Sequence, residues 1–287
     1  MENFEKYASK LPVIPEVASR ILSIGEDNQD FSFKKLEEII SLDPMLTSRI
    51  LKVANSALYA RQKEITTLQM AIGLLGFKNI KSLVLLISAS QFSRQFESDP
   101  FYNDFWTHSI VTAFIAREIY YRNKDRVNQD LAFTLALLHD IGKVALFNFD
   151  PAAYRKVLEE AENGKESYPA IERKHMGTDH HEAGAQIMRI WNLPDIFAQS
   201  VELHGKNDID SPDADLIRNI SIADYIAGKL GFGTVEENIA GDWAFLLKGT
   251  DVGPDDLTFF LQEYEALMVE DPLFLECEKL FPGKKAV

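Results

Sequence analysis

The sequence predicts an all-α protein, a multi-helix bundle with no sheet. Three observations predict it. Apolar residues recur at i, i+3, i+4 and i+7 along most of the chain, the spacing that lines one face of a helix. Proline, asparagine or aspartate precedes many of these stripes and glycine follows several, where helices start and stop. Nowhere does apolar–polar alternation persist long enough to make a strand.

Taken in order, Leu11-Pro12-Val13-Ile14-Pro15 is an extended lead-in, because each proline disfavours helix in the residue before it. A helix from about Glu16 carries Val17, Ile21 and Ile24 and ends at Gly25. Phe33, Leu36, Ile39 and Ile40 mark the next stripe. Asp43-Pro44 opens another, with a side-chain acceptor at the N-cap and proline where no N–H is needed. Its face holds Leu46, Ile50, Val53, Ala54 and Ala57, with Asn55-Ser56 near its end. Leu68, Ala71, Ile72 and Leu75 form a stripe closed by Gly76. The Ile80–Phe92 helix is apolar nearly all round, which places it centrally in its bundle. It is too short for a membrane span, which needs roughly 20 apolar residues.

The polar stretch Glu97-Ser98-Asp99-Pro100 is the internal boundary. A helix from about Tyr102 to Arg122 follows, then a charged loop from Asn123 to Gln129, in which Asn128 can cap the helix leading to His139-Asp140. Pro151 to Asn163 is a helix ended by Gly164. Asp179 caps a helix through Gly184, Ile187 and Ile190 to Trp191, and Pro194 opens one that ends at His204-Gly205. Ser211-Pro212 opens another with Leu216, Ile220, Ala223, Asp224 and Ala227, stopped between Gly228 and Gly233. From about Thr234 come two or three more helices, one with Leu257, Leu261, Tyr264 and Met268 on a shared face, and an acidic tail. Trp243, Phe245, Phe259, Phe260 and Phe274 are too apolar for a disordered tail, so this extension is expected to cap what precedes it. The expected division is 1–100, 101–233 and 234–287.

At 287 residues and 46% hydrophobic content the chain can bury a real core without staples. A single cysteine, Cys277, excludes an internal disulfide and fits a reducing cytoplasm. The acidic start, Met1-Glu2-Asn3-Phe4-Glu5-Lys6, lacks the apolar core of a secretory signal. The net charge of −14 makes a generic nucleic-acid or anionic-membrane partner unexpected. Residues 31–94 are locally basic, which reads first as the solvated faces of amphipathic helices and second as a partner surface.

Chemistry concentrates around Leu137-Leu138-His139-Asp140-Ile141-Gly142-Lys143. Burying His-Asp behind an apolar helix costs free energy unless something binds the pair, and a metal ion is one such partner. His108 shares a helix face with Thr112, Ile115 and Ile119 and should point inward. Asp224 lies on the apolar stripe of its helix, where a carboxylate needs a metal or a cation. Gly184, one turn beyond His180, lets another helix approach beside that histidine. His204 ends its helix against Gly205. Several imidazoles with two carboxylates suit iron, manganese, nickel or magnesium better than a thiolate zinc site. Such a site can activate water and polarise a phosphoryl oxygen, and Lys143 can reach a phosphate as a point charge.

The order His108, His139-Asp140, Asp224 resembles the ligand set of the HD superfamily of metal-dependent phosphohydrolases. Leu11-Pro12 with Ile14-Pro15, Asp43-Pro44-Met45-Leu46-Thr47, Ala54-Asn55-Ser56, Ile65 to Ala71 and Leu75-Gly76 resemble the HDOD family, the HD-related output domain of bacterial signalling proteins. The resemblance covers about residues 7–230. It implies an HD-like C-terminal half behind an N-terminal helical half, a regulatory role and partners such as receiver or kinase components. It also implies one or two divalent ions on His108, His139, Asp140, His180, His204 and Asp224, with Asp140 and Lys143 as the catalytic pair if a phosphoester is the ligand. Two departures separate the chain from related cyclic-di-GMP phosphodiesterases: Tyr168-Pro169 lacks the preceding glycine of their signature, and Gly205 stands where a second histidine often follows. Two functions fit: a signalling module that works mainly through protein contacts, and an active metal-dependent phosphohydrolase.

Overall fold

The computed structural model describes residues 33–55, 65–91, 99–122, 128–162, 166–233 and 252–268, with single positions beside them. Among these residues there is no strand. The Leu11–Pro15 lead-in, most of the helix from Glu16, Ala57, Phe92, Gly164 and residues 234–246 lie outside the described residues.

Among the described residues, the N-terminal half carries the helices α1 (Phe33–Ile40), α2 (Pro44–Ala54) and α3 (Leu68–Gln91). Asp43 caps α2 as its position before Pro44 predicts, its Oδ1 accepting from Leu46 N at 3.0 Å. A cap of this kind is worth about 1 kcal/mol. Asn55 holds the following segment through Ile65, donating to its carbonyl at 2.7 Å and accepting from its N–H at 2.8 Å. Gly76 breaks α3 with φ 79°, so the stripe ending at Leu75 and the apolar helix after it are two helices joined at a glycine. The left-handed conformation there is one that side chains seldom adopt.

The second half begins with α4 (Pro100–Arg122), buried along most of its length. It packs on α5 (Gln129–Leu138) and on α11 (Ala214–Lys229). Asn128 occupies the N-cap of α5 but makes no side-chain capping bond, contrary to expectation. After the His139-Asp140 turn come α6 (Ile141–Phe149), α7 (Pro151–Ala161), α8 (Tyr168–Met176), α9 (His180–Ile190) and α10 (Asp195–Leu203). Helix α8 was not foreseen. Pro169 opens it and Gly177, with φ 77°, closes it. The N-terminal half meets this bundle where α3 packs on α5.

Beyond residue 250, α12 (Pro254–Phe259) runs through a π turn at Phe260–Tyr264 into a short helix, α13 (Glu265–Met268). The wider turn brings Phe260 rather than Leu261 into the core: Phe260 is buried and Leu261 is exposed. The expected face of Leu257, Leu261, Tyr264 and Met268 is corrected accordingly. The segment lies against α4, with Tyr264 donating to the Phe114 carbonyl at 2.9 Å and Arg117 pairing with Asp271 at 2.7 Å.

Candidate metal centre

The centre sits where α4, α5, α6, α9, α10 and α11 converge. Two glycines permit that convergence. A Cβ on Gly142 would stand 1.9 Å from the His180 carbonyl oxygen and 2.8 Å from Gly184 N. One on Gly184 would stand 2.5 Å from the Val201 side chain. So α6 and α9 touch backbone to backbone, which delivers Asp140 beside His180. Asp179 fixes the start of α9 by accepting from Glu182 N at 2.9 Å.

Asp140 lies at the middle, at the turn between α5 and α6. Its Oδ2 is 3.6 Å from His108 Nε2 and 3.5 Å from His139 Nε2. Its Oδ1 is 3.6 Å from His180 Nε2 and 3.5 Å from His204 Nε2. The two oxygens thus face two different groups of imidazoles. Asp224 closes the first group, with Oδ1 3.0 Å from His108 Nε2 and 3.6 Å from His139 Nε2. Its side chain is 21% exposed, so it stands at the rim of the centre and not in the buried stripe the sequence suggests.

Every imidazole is held by its Nδ1, which turns Nε2 inward. His108 Nδ1 donates to the Phe232 carbonyl at 2.9 Å and His139 Nδ1 to the Ala136 carbonyl at 2.7 Å. His180 Nδ1 faces Glu172 at 2.5 Å, and His204 Nδ1 donates to the Val201 carbonyl at 2.8 Å. Such contacts fix the tautomer and leave the other nitrogen as a ligand. The Phe232 carbonyl is presented by a turn in which Gly233 has φ 91°, and a Cβ there would meet His108 Nδ1 at 2.7 Å.

Burial alone would push Asp140 up, but Lys143, with Nζ 2.6 Å from Oδ2, and the surrounding histidines hold it well below the usual carboxylate range. Asp224 likewise stays low against burial, because His108 and His139 face it. Burial lowers His139, yet the Asp140 and Asp224 carboxylates more than offset this and raise it. Burial keeps His180 and His181 well below the ordinary range, in the neutral form that binds metal.

Sequence reasoning missed three residues here. Glu172, fully buried on α8, accepts from His180 N at 2.8 Å and from Tyr154 OH at 2.7 Å. Burial pushes its carboxyl up to about 8. His181 stands in the second imidazole group, its ring centre 4.1 Å from that of His180 and 4.4 Å from that of His204. Tyr168 lies under Lys143, whose Nζ is 4.7 Å from the ring centre. The pairs Tyr168-Pro169 and His180-His181 were visible signals; nothing marked Glu172. His175 lies apart from the centre and contacts Glu160 at 2.7 Å.

A cavity of about 370 Å3 opens beside Asp140, His108 and Lys143, walled by Phe101, Phe105 and Phe232. A larger cavity, about 620 Å3, lies at the Gly76 break and the Arg117–Asp271 pair and includes no histidine. The donor set fits divalent metal. His180 Nε2 is buried without any hydrogen-bond partner, a costly arrangement that a cation would relieve. His108, His139 and Asp224 offer ligand atoms within 4.8 Å of one another, as do His139, Asp140 and His204.

Comparison with known proteins agrees in outline. The family model of the HDOD domain matches residues 11–207. An uncharacterised protein of Treponema pallidum (strain Nichols) is 23% identical over 200 residues, 69% of this chain and 38% of that protein. The chain therefore spans well under half of that curated relative. An HDOD domain protein of unknown function from Geobacter sulfurreducens superposes with a TM-score of 0.78 at 20% identity, covering 98% of this chain and 97% of that one. A candidate phosphohydrolase from Shewanella amazonensis SB2B gives 0.72 at 23% identity, covering 97% and 98%. A candidate signal transduction protein from Marinobacter aquaeolei VT8 gives 0.78 at 20% identity, covering 95% of this chain and 60% of that one. These structures share the fold.

Proposed function

The chain belongs to the HDOD domain family, and from that premise we propose that it is a signalling module whose second half hydrolyses a small phosphoester at a centre of two divalent cations. The cavity carries this reading. A metal centre that serves only to brace a fold needs no opening, whereas here about 370 Å3 lies against Asp140 and Lys143, a volume within the range of small-molecule sites.

His108, His139, Asp140 and Asp224 would hold one cation, and Asp140, His180 and His204 the other. Bound divalent ions supply a Lewis acid for a phosphoryl oxygen and lower the pKa of water. The chain's own residues do the remaining work. Asp140 presents one oxygen to each group of imidazoles and would contribute to holding both cations. Lys143, held over Tyr168 and 2.6 Å from Asp140, offers a positive charge to a phosphate at the cavity floor. Phe101, Phe105 and Phe232 exclude water around the ester. In this reading residues 101–233 carry the chemistry, residues 1–100 carry the response, and Tyr264 and Asp271 brace α4 from the C-terminal extension.

A second reading, action through protein contacts, is favoured by Phe33, Leu42 and Met70, which the N-terminal half leaves 59%, 64% and 41% exposed. Receiver or kinase components are the partners this implies. The test is hydrolysis by the metal-loaded chain of phosphomonoesters, linear dinucleotides and cyclic dinucleotides, beside His139→Ala. Turnover that the substitution abolishes is expected. Stoichiometric metal without turnover of any of the three would leave the contact reading.

A further inference from the structure

We infer that His181 completes a second, imidazole-rich pocket with His180, His204 and Asp140 Oδ1, and that this pocket selects a transition-metal ion over magnesium. The inference rests on the two-cation reading and deepens it. Asp140, His180 and His204 give this side two imidazoles and one carboxylate oxygen. The structure adds a third imidazole: His180, His181 and His204 each offer a ligand atom, all within 4.8 Å of one another, and all three side chains are buried.

The orientation of His181 is built in. Its Nδ1 donates to the Val201 carbonyl at 3.0 Å, the same oxygen that accepts from His204 Nδ1 at 2.8 Å. A carbonyl has two lone pairs, so one oxygen sets the tautomer of both rings. Val201 is itself held in place, because its side chain rests where a Cβ on residue 184 would fall. The remaining nitrogen, Nε2, is the one each ring has for a ligand. His180 Nε2, buried and without a partner, marks the spot independently.

The two pockets are then chemically unequal. The first mixes His108 and His139 with carboxylate oxygens of Asp140 and Asp224, a set open to hard and borderline cations alike. The second is three imidazoles to one carboxylate oxygen. Imidazole favours zinc, cobalt, nickel or iron, whereas magnesium prefers oxygen ligands and keeps its waters. Gly205 carries no side chain to supply a ligand from the end of α10, and His181 supplies one from the start of α9.

The experiment titrates the metal-stripped chain with Co2+, following visible absorption and heat, with and without excess Mg2+. Wild type should bind two ions, one of which magnesium displaces poorly. His181→Ala and His181→Asn should each keep one ion at unchanged affinity, which reports an intact fold, and weaken the other by about 100-fold. His108→Ala should keep the magnesium-resistant ion. Equal binding of both ions by wild type and both His181 variants overturns the role of His181 while leaving the two-cation reading intact. A wild-type chain that takes up no cobalt overturns both.

Discussion

Glu172 accepts two hydrogen bonds from His180, one from the backbone N–H at 2.8 Å and one from ring Nδ1 at 2.5 Å, with both side chains fully buried. This carboxylate aims His180 Nε2 at Asp140. Partners of this kind raise ligand basicity and fix ring orientation, and losing one typically costs about 10–100-fold in metal affinity. Glu172→Gln is expected to fall in that range in a competition titration, with circular dichroism unchanged. Unaltered affinity would mean that packing alone holds His180.

Glu172 also predicts a pH dependence in the metal-stripped protein. Burial raises its carboxyl from 4.5 to about 8, so the folded chain holds a proton that the unfolded chain gives up. Stability from this group is fully present below about 4.5 and is lost as pH rises toward about 8. Thermal midpoints of wild type and Glu172→Gln across that window should converge at the acid end and separate at the alkaline end, wild type falling more. Parallel curves would contradict the assignment.

Gly142→Ala should be severe. Its Cβ would meet the His180 carbonyl at 1.9 Å, and backbone has nowhere to retreat. A loss of about 3 kcal/mol is expected from overpacking, read by urea denaturation. Gly73, where a Cβ meets nothing within 4 Å, is the contrast. Gly73→Ala, at an exposed position of α3, should gain about 0.5–1 kcal/mol from helix propensity.

Lys143→Ala tests the point charge beside Asp140. If Lys143 stabilises developing phosphate charge, kcat/KM should fall about 100-fold, a loss typical of one electrostatic contact, while metal content stays as in wild type. Loss of metal with activity would instead make Lys143 a support for Asp140.

Much of this architecture was legible in the chain. Asp43 and Asp179 cap their helices as their positions predict, and Gly76 breaks the apolar run where the stripe ends. Spacing and resemblance point to His108, His139, Asp140, His180, His204 and Asp224, and the fold draws them together. What stayed hidden depends on packing between elements. Glu172 reads as one more helix carboxylate until α8 lies against α9. Neighbours on a helix diverge by about 100°, yet at the first turn of α9 the His181 ring lies 4.1 Å from that of His180, tilted against it. Asn128 occupies a cap position without using it, since propensity describes the favoured bond and not the one formed. Leu257, Leu261, Tyr264 and Met268 share an α-helical face in the sequence, on which the π turn at Phe260–Tyr264 leaves no mark.

Asp140 joins two donor groups through its two oxygens. Elemental analysis of the full chain, reconstituted with metal and freed of excess, tests it most directly. Two ions per wild-type chain are expected, with Asp140→Ala losing both and Asp224→Ala losing one. A wild-type chain that saturates below two ions, or an Asp140→Ala chain that keeps both, would contradict it.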